Sequence, residues 1–197
     1  MAKSCTKNLS ASASFSLHPM TDQFIEIIHH ALNETDTSNV WLETDDVTTT
    51  VRGQIVHVFD VTKAICAHAS TFGKHLAFQA TYSIGCPSNQ EGDLLRVNED
   101  VASNQLEESI YNPFAAAKFS LYPLGINSYM DTILEQIEAM KSFVSVSSAP
   151  LSTKLEGNLL EIFAGLEQVF QATVDAGSNH TVMTVTFSIH SPTHQKK

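Results

Sequence analysis

The chain has 197 residues, 43% of them hydrophobic and 16% charged, and a formal net charge of −10. That balance belongs to a folded chain rather than a disordered one. The negative sign argues against a nucleic-acid partner, which needs clustered positive charge, and leaves room for a cationic small ligand.

Residues 1–11 are small and polar, and a frayed start is expected there. From 12 to 18, Ala13, Phe15 and Leu17 alternate with Ser14, Ser16 and His18, the period of a half-buried strand. Pro19 ends it, and Thr21 or Asp22 is placed to cap a helix. Phe24, Ile25, Ile27, Ile28, Ala31 and Leu32 then follow helical spacing. Val40-Trp41-Leu42 opens a second strand, Asp45-Asp46 marks a reversal, and the threonine-rich run Val47 to Arg52 makes a third strand. Gly53 breaks the hairpin. A helix to about Ser70 follows, with Val58, Phe59, Ile65, Cys66 and Ala69 inward, and then a strand through Phe78, Ala80, Tyr82 and Ile84. The order is β-α-β-β-α-β.

The plan then recurs. Phe15-Ser16-Leu17-His18-Pro19-Met20 returns as Phe119-Ser120-Leu121-Tyr122-Pro123-Leu124, an offset of 119 − 15 = 104. Val58-Phe59 and Gly53 return as Ile162-Phe163 and Gly157 at the same offset, and Thr81-Tyr82-Ser83-Ile84 returns one residue later as Thr186-Phe187-Ser188-Ile189. Ala117, Phe119 and Leu121 mark the first strand of the second copy. Tyr129, Met130, Ile133, Leu134, Ile137 and Met140 mark its first helix. A hairpin joined near Pro150 follows, then a helix from Leu159 to Phe170 and a last strand through Met183, Val185, Phe187 and Ile189. The sequence therefore predicts an α+β chain of tandem ferredoxin-like βαββαβ units with antiparallel sheets. Residues 1–90 form the first unit, 91–115 a linker and 116–197 the second unit. Each sheet would carry both helices on one face. The bare face would hold Ser16, His18, Thr81 and Ser83 in one copy and Ser120, Tyr122, Thr186 and Ser188 in the other. A second sheet is the usual cover for such a face, supplied by the other unit and by a second chain in a homodimer.

Signatures of catalysis are missing: the sequence has no glycine-rich phosphate loop, no nucleophile elbow and no His-Glu-x-x-His. The nine histidines lack the paired short spacing of a structural metal site, so no metal and no cofactor is expected. Cys5, Cys66 and Cys86 form an odd set without paired spacing, as free thiols in a reducing compartment would. With no apolar run long enough to span a bilayer and no apolar segment behind the first residues, a cytoplasmic location is expected. Cys86 sits in a Gly-Cys-Pro turn and has Ser191 at the matching place of the second copy, so a shared thiol chemistry is not indicated.

Asp45 stands beside the hydroxyls of Thr48, Thr49 and Thr50 and can accept from an amino group or face a cation. Thr48 and Thr49 have counterparts in Ser152 and Thr153. Tyr122 is the aromatic best placed to stack on a flat ring, with His18 at its place in the first unit.

These residues match a known pattern. Phe15-Ser16-Leu17 with Pro19-Met20-Thr21-Asp22, Thr35-Asp36-Thr37-Ser38 with Val40-Trp41, Arg52-Gly53 with His57-Val58-Phe59-Asp60, Ser83 to Pro87 and Arg96 to Asp100 resemble the YkoF family of thiamin/hydroxymethylpyrimidine-binding proteins. The likeness is dense in the first unit and looser in the second. It implies tandem ferredoxin-like domains, a dimer, one ligand site per unit, and a soluble partner of a vitamin-uptake transporter rather than an enzyme. Carried over residue by residue, it places ligand contacts at Leu17 and Thr49 and at Leu121 and Thr153. His18 departs from the family's usual tyrosine. A small-molecule-sensing regulatory module acting on a partner protein is the alternative reading.

Overall fold

The computed structural model describes residues 10–85 and 101–193. In chain order the elements are β1 (Ala11–Pro19), α1 (Phe24–Glu34), β2 (Trp41–Thr44), β3 (Thr49–Gly53), α2 (Ile55–Ser70), β4 (Leu76–Ile84), α3 (Glu108–Tyr111), β5 (Phe114–Leu124), α4 (Tyr129–Met140), β6 (Ser145–Ala149), β7 (Ser152–Asn158), α5 (Leu159–Asp175) and β8 (His180–Ile189). Each half is the expected βαββαβ unit, and all the pairings are antiparallel.

The two units meet edge to edge. β4 pairs with β8 along its whole length, so the strands form one sheet in the order β2-β3-β1-β4-β8-β5-β7-β6. This corrects the expectation that one unit's sheet covers the other's within the chain. The seam also joins the cores: Phe78 lies opposite Phe187 across it, and Phe187 stacks on Phe163 with centroids 4.8 Å apart. Aromatic pairs of this kind contribute about 0.5–1.5 kcal/mol beyond the area that they bury. Phe59 stacks on Tyr82 at 4.2 Å, and the Tyr82 hydroxyl reaches Thr62 at 2.9 Å. Tyr82 and Phe187 thus fill the helix side, as their alternation predicts.

The opposite face carries Ser16, Thr81 and Ser83 beside Ser120, Thr186 and Ser188, all partly or fully exposed. Two glycines hold matching places. A Cβ on Gly53 would meet Val40 Cγ1 at 3.2 Å, and one on Gly157 would meet Val144 Cγ1 at 2.6 Å. The same contact recurs at the repeat offset, so each glycine is fixed by the valine that enters the hairpin.

Three local readings change. Neither Thr21 nor Asp22 is the helix cap: Gln23 holds that position without a side-chain bond, and the Thr21 hydroxyl accepts from its N–H at 3.4 Å. Phe24 and Ile25 of α1, and Tyr129, Met130 and Leu134 of α4, follow helical spacing yet remain about half exposed. Burial falls instead on Ile27 and Ala31 of α1 and on Thr132, Gln136 and Met140 of α4. Finally, part of the linker is built into the fold. The backbone N–H groups of Ser103 and Asn104 and the Asn104 side chain donate to Oδ2 of buried Asp60, at 3.0, 3.0 and 2.8 Å. Lys63 pairs with its Oδ1 at 3.2 Å. A buried carboxylate is tolerable here because three hydrogen bonds satisfy Oδ2 and the lysine's charge faces Oδ1.

Candidate functional site

A cavity opens at the same place in each unit, and it arises from how the strands end. The ladder between β1 and β3 stops at Phe15 opposite Thr49, whereas β1 stays paired with β4 up to Pro19. In the second unit the β5–β7 ladder stops at Phe119 opposite Thr153, and β5 continues along β8 to Leu124. The sheet therefore forks at equivalent residues in both copies. Past the fork, the first strand of each unit has a strand partner on one side only.

The first cavity, of about 190 Å³, lies in the fork between β1, α1 and the β2–β3 hairpin. Phe15, Leu17, Ile28, Leu32 and Ile65 make its apolar wall, while Ser16, His18 and the hairpin from Thr44 to Thr49 make the polar side. The second cavity, of about 280 Å³, has Phe119, Leu121, Ile133 and Ile137 on its apolar side and Ser120, Tyr122, Ser152 and Thr153 opposite. Both volumes sit at or below the lower end for small-ligand pockets. Each volume is on the scale of a single ring rather than of a larger ligand.

All the residues singled out from the sequence are found here. Leu17, His18, Asp45 and Thr49 line the first cavity; Leu121, Tyr122 and Thr153 line the second. Thr49 and Thr153 are buried at the inner end of their hairpins, and the Thr49 hydroxyl is 3.0 Å from that of Thr44. His18 Nε2 meets the Ser16 hydroxyl at 2.9 Å. Ser120 Oγ donates across the second fork to the carbonyl of Leu151 at 3.0 Å. Trp41 takes no part: it lies on the edge strand with the Arg52 guanidinium 4.8 Å from its ring centroid.

Asp45 shapes its hairpin. Its Oδ1 accepts from the N–H of Val47 at 2.7 Å and of Thr48 at 2.8 Å. The Thr48 donor, then that of Val47, holds this carboxyl below its ordinary value, so the group is charged at neutral pH. The second hairpin turns differently. Pro150 is followed by Leu151 at φ 63°, the left-handed region. This order suits a turn with proline second and a left-handed residue third, but glycine or asparagine is the usual third residue. Both tips carry an exposed apolar side chain at the cavity's lip, Val47 at 80% and Leu151 at 98% exposure.

Sequence reasoning missed the tips Val47 and Leu151 and the helix residues Ile28, Leu32, Ile133 and Ile137. The repeat would have found them, since Val47 precedes Leu151 by the same offset as Thr49 precedes Thr153, and Ile28 and Leu32 correspond to Ile133 and Ile137. No group of three or more His, Cys, Asp or Glu is placed to hold a metal among the described residues. Cys66 is buried, which pushes its thiol far above its ordinary value. Cys5 and Cys86 lie outside the described residues. No helix among the described residues is long and apolar enough to cross a membrane.

Comparison with known proteins finds the same two repeats. The profile of the YKOF-related family matches residues 10–89 and 114–194, one match per repeat. A protein of Bacillus subtilis (strain 168), named "Putative HMP/thiamine-binding protein YkoF", is 38% identical over 200 residues, spanning 98% of this chain and 96% of the relative. With both repeats matched and nearly the whole length shared, the chain belongs to the YKOF-related family.

Proposed function

We propose that the chain is a binding protein for thiamin or its hydroxymethylpyrimidine moiety, with one site in each repeat. The observation that carries this reading is the paired fork. Two copies of one unit have kept a ring-sized cavity at the same register, between matched hydroxyls and matched aliphatic walls. An aminopyrimidine is a flat ring whose edge alternates donors and acceptors. The one-sided end of β1 or β5 supplies backbone groups at Leu17 or Leu121, and Thr49 or Thr153 supplies a hydroxyl. The apolar walls take the ring faces. At the mouth, the ring of Tyr122 and the charge of Asp45 are suited to the thiazolium cation.

We assign binding rather than turnover: the Ser16 hydroxyl does lie 2.9 Å from His18 Nε2 in the first cavity, but that pair is exposed and the second cavity has Tyr122 in the histidine's place. The role we assign is ancillary to uptake or salvage of the vitamin, in the cytoplasm beside its transporter. A homodimer would close the open sheet face with a second copy of itself. Titration calorimetry with thiamin and with hydroxymethylpyrimidine tests the assignment: two binding events per chain are expected, and no binding of either at millimolar ligand refutes it. Light scattering tests the assembly: a mass near the 21.5 kDa of one chain refutes the dimer.

A further inference from the structure

The two cavities share their architecture but not their charge. Asp45, Asp46 and His18 line the first. At the matching places the second unit has Ala149, Pro150 and Tyr122, and nothing that lines the second cavity bears a carboxylate or an amine. The equivalence is structural as well as sequential. Thr44 pairs with Thr49 and Ser148 with Thr153, and one step nearer the tip the Asp45 N–H donates to the Thr48 carbonyl at 3.0 Å where Ala149 pairs with Ser152 in the second hairpin. The carboxylate pair thus occupies the rim of one fork, and an alanine and a proline occupy that of the other.

We propose that the two cavities sort ligands by charge, the first taking the cationic, thiazolium-bearing form and the second the uncharged pyrimidine. This rests on the vitamin reading given above. Both cavities offer a ring slot of similar make, so the pyrimidine alone gains little by choosing between them. What distinguishes the ligands is the second ring, which lies outside the slot. At the first mouth it meets one ionised carboxylate held in a turn, with a second beside it. At the second mouth it meets Leu151 and the Tyr122 ring: the ring face draws a cation, but no carboxylate stands there to pair with it. An exposed charge pair is weak, roughly a 1.4-fold to fivefold preference per carboxylate. Both together give on the order of tenfold at low salt. The attraction is screened between about 0.01 M and 1 M salt, where the screening length falls from about 30 to 3 Å.

The test is calorimetry at mildly alkaline pH with two probes, thiamin and neutral hydroxymethylpyrimidine, on the full chain. Three proteins are compared: wild type, Asp46→Asn, and Asp45→Asn/Asp46→Asn. Asparagine keeps the Oδ1 acceptor that shapes the turn, and Asp46 takes no part in that turn's recorded bonds, so the hairpin survives both changes. In the wild type, one thiamin site should weaken with salt while pyrimidine binding holds constant. The double variant should lose about tenfold in thiamin affinity at that site, lose its salt dependence, and bind the pyrimidine as before, with Asp46→Asn in between. Equal weakening of both probes, or a thiamin site whose salt dependence survives the double substitution, overturns the sorting and leaves the vitamin reading standing. Failure of the wild type to bind either probe overturns the vitamin reading itself.

Discussion

Replacing Leu151 by asparagine should make the protein more stable and a poorer binder. Leu151 holds φ 63° at the tip of the second hairpin. A side chain with a Cβ strains in that region by roughly 1–2 kcal/mol, and asparagine is among the few that tolerate it. Its 98% exposure means that truncation forfeits almost no buried apolar surface. The balance is a gain of about 1 kcal/mol, or a Tm higher by about 2–4 °C for a chain of this size. The cavity pays the difference, since the Leu151 side chain forms its lip. Differential scanning calorimetry of the ligand-free variant reads the first effect, and titration with hydroxymethylpyrimidine reads the second as weaker binding at one site of two. A Tm that falls refutes the reasoning, for it would mean that Leu151 is packed against something in solution. A higher Tm with unchanged affinity at both sites would refute its role as a lip.

Thr49→Ala removes the hydroxyl paired with Thr44 and should weaken the first site alone. The net value of about 0.5–1.5 kcal/mol for one hydrogen bond corresponds to roughly a twofold to twelvefold loss, and equal losses at both sites would sink the assignment. Asp45 has a folded-state value below its ordinary one, so its stabilisation is complete above the ordinary carboxylate range near pH ~4 and is lost as pH falls through the folded value. Melting curves of wild type and Asp45→Ala should therefore differ at neutral pH and converge in acid, and a gap that widens in acid refutes this. Gly157→Ala should destabilise by about 1–3 kcal/mol through overpacking, and Gly53→Ala by less, because the new Cβ meets valine at 2.6 Å in one case and 3.2 Å in the other. Guanidinium midpoints in the reverse order would contradict it.

What the sequence discloses and what it hides follow from the range of each signal. Alternation is local, and it places Phe15, Tyr82, Phe119 and Phe187 on the buried side without reference to anything distant. The repeat multiplies that signal, since a pattern read twice at one offset fixes Thr49 against Thr153 and Gly53 against Gly157. The β4–β8 seam is a different kind of fact. Both strands read as half-buried in either case, and only the choice of neighbour, Phe78 against Phe187, makes one sheet of two. Helical spacing fails for the same reason at Phe24 and Tyr129: it states which residues share a face, not whether a layer lies beneath that turn.

The cavity is the most distant consequence of all. It exists because one ladder stops at Phe15 and Phe119 while the ladder on the other side continues. No residue type announces that stop. The residues at its rim nonetheless stood out: the family resemblance points to Leu17, Thr49, Leu121 and Thr153, and the repeat sets the first two against the last two. Asp45 shows the limit of such reading. Its charge was visible, but its two bonds to the turn were not, and neither was the fact that those bonds hold the charge at the mouth of one fork while Ala149 leaves the other without it. The two units thus agree in backbone and differ in rim chemistry. A duplicated chain that kept both cavities while their rims diverged, at the hairpin tips and at His18 against Tyr122, has preserved the slot for the ring and varied what meets the remainder of the ligand.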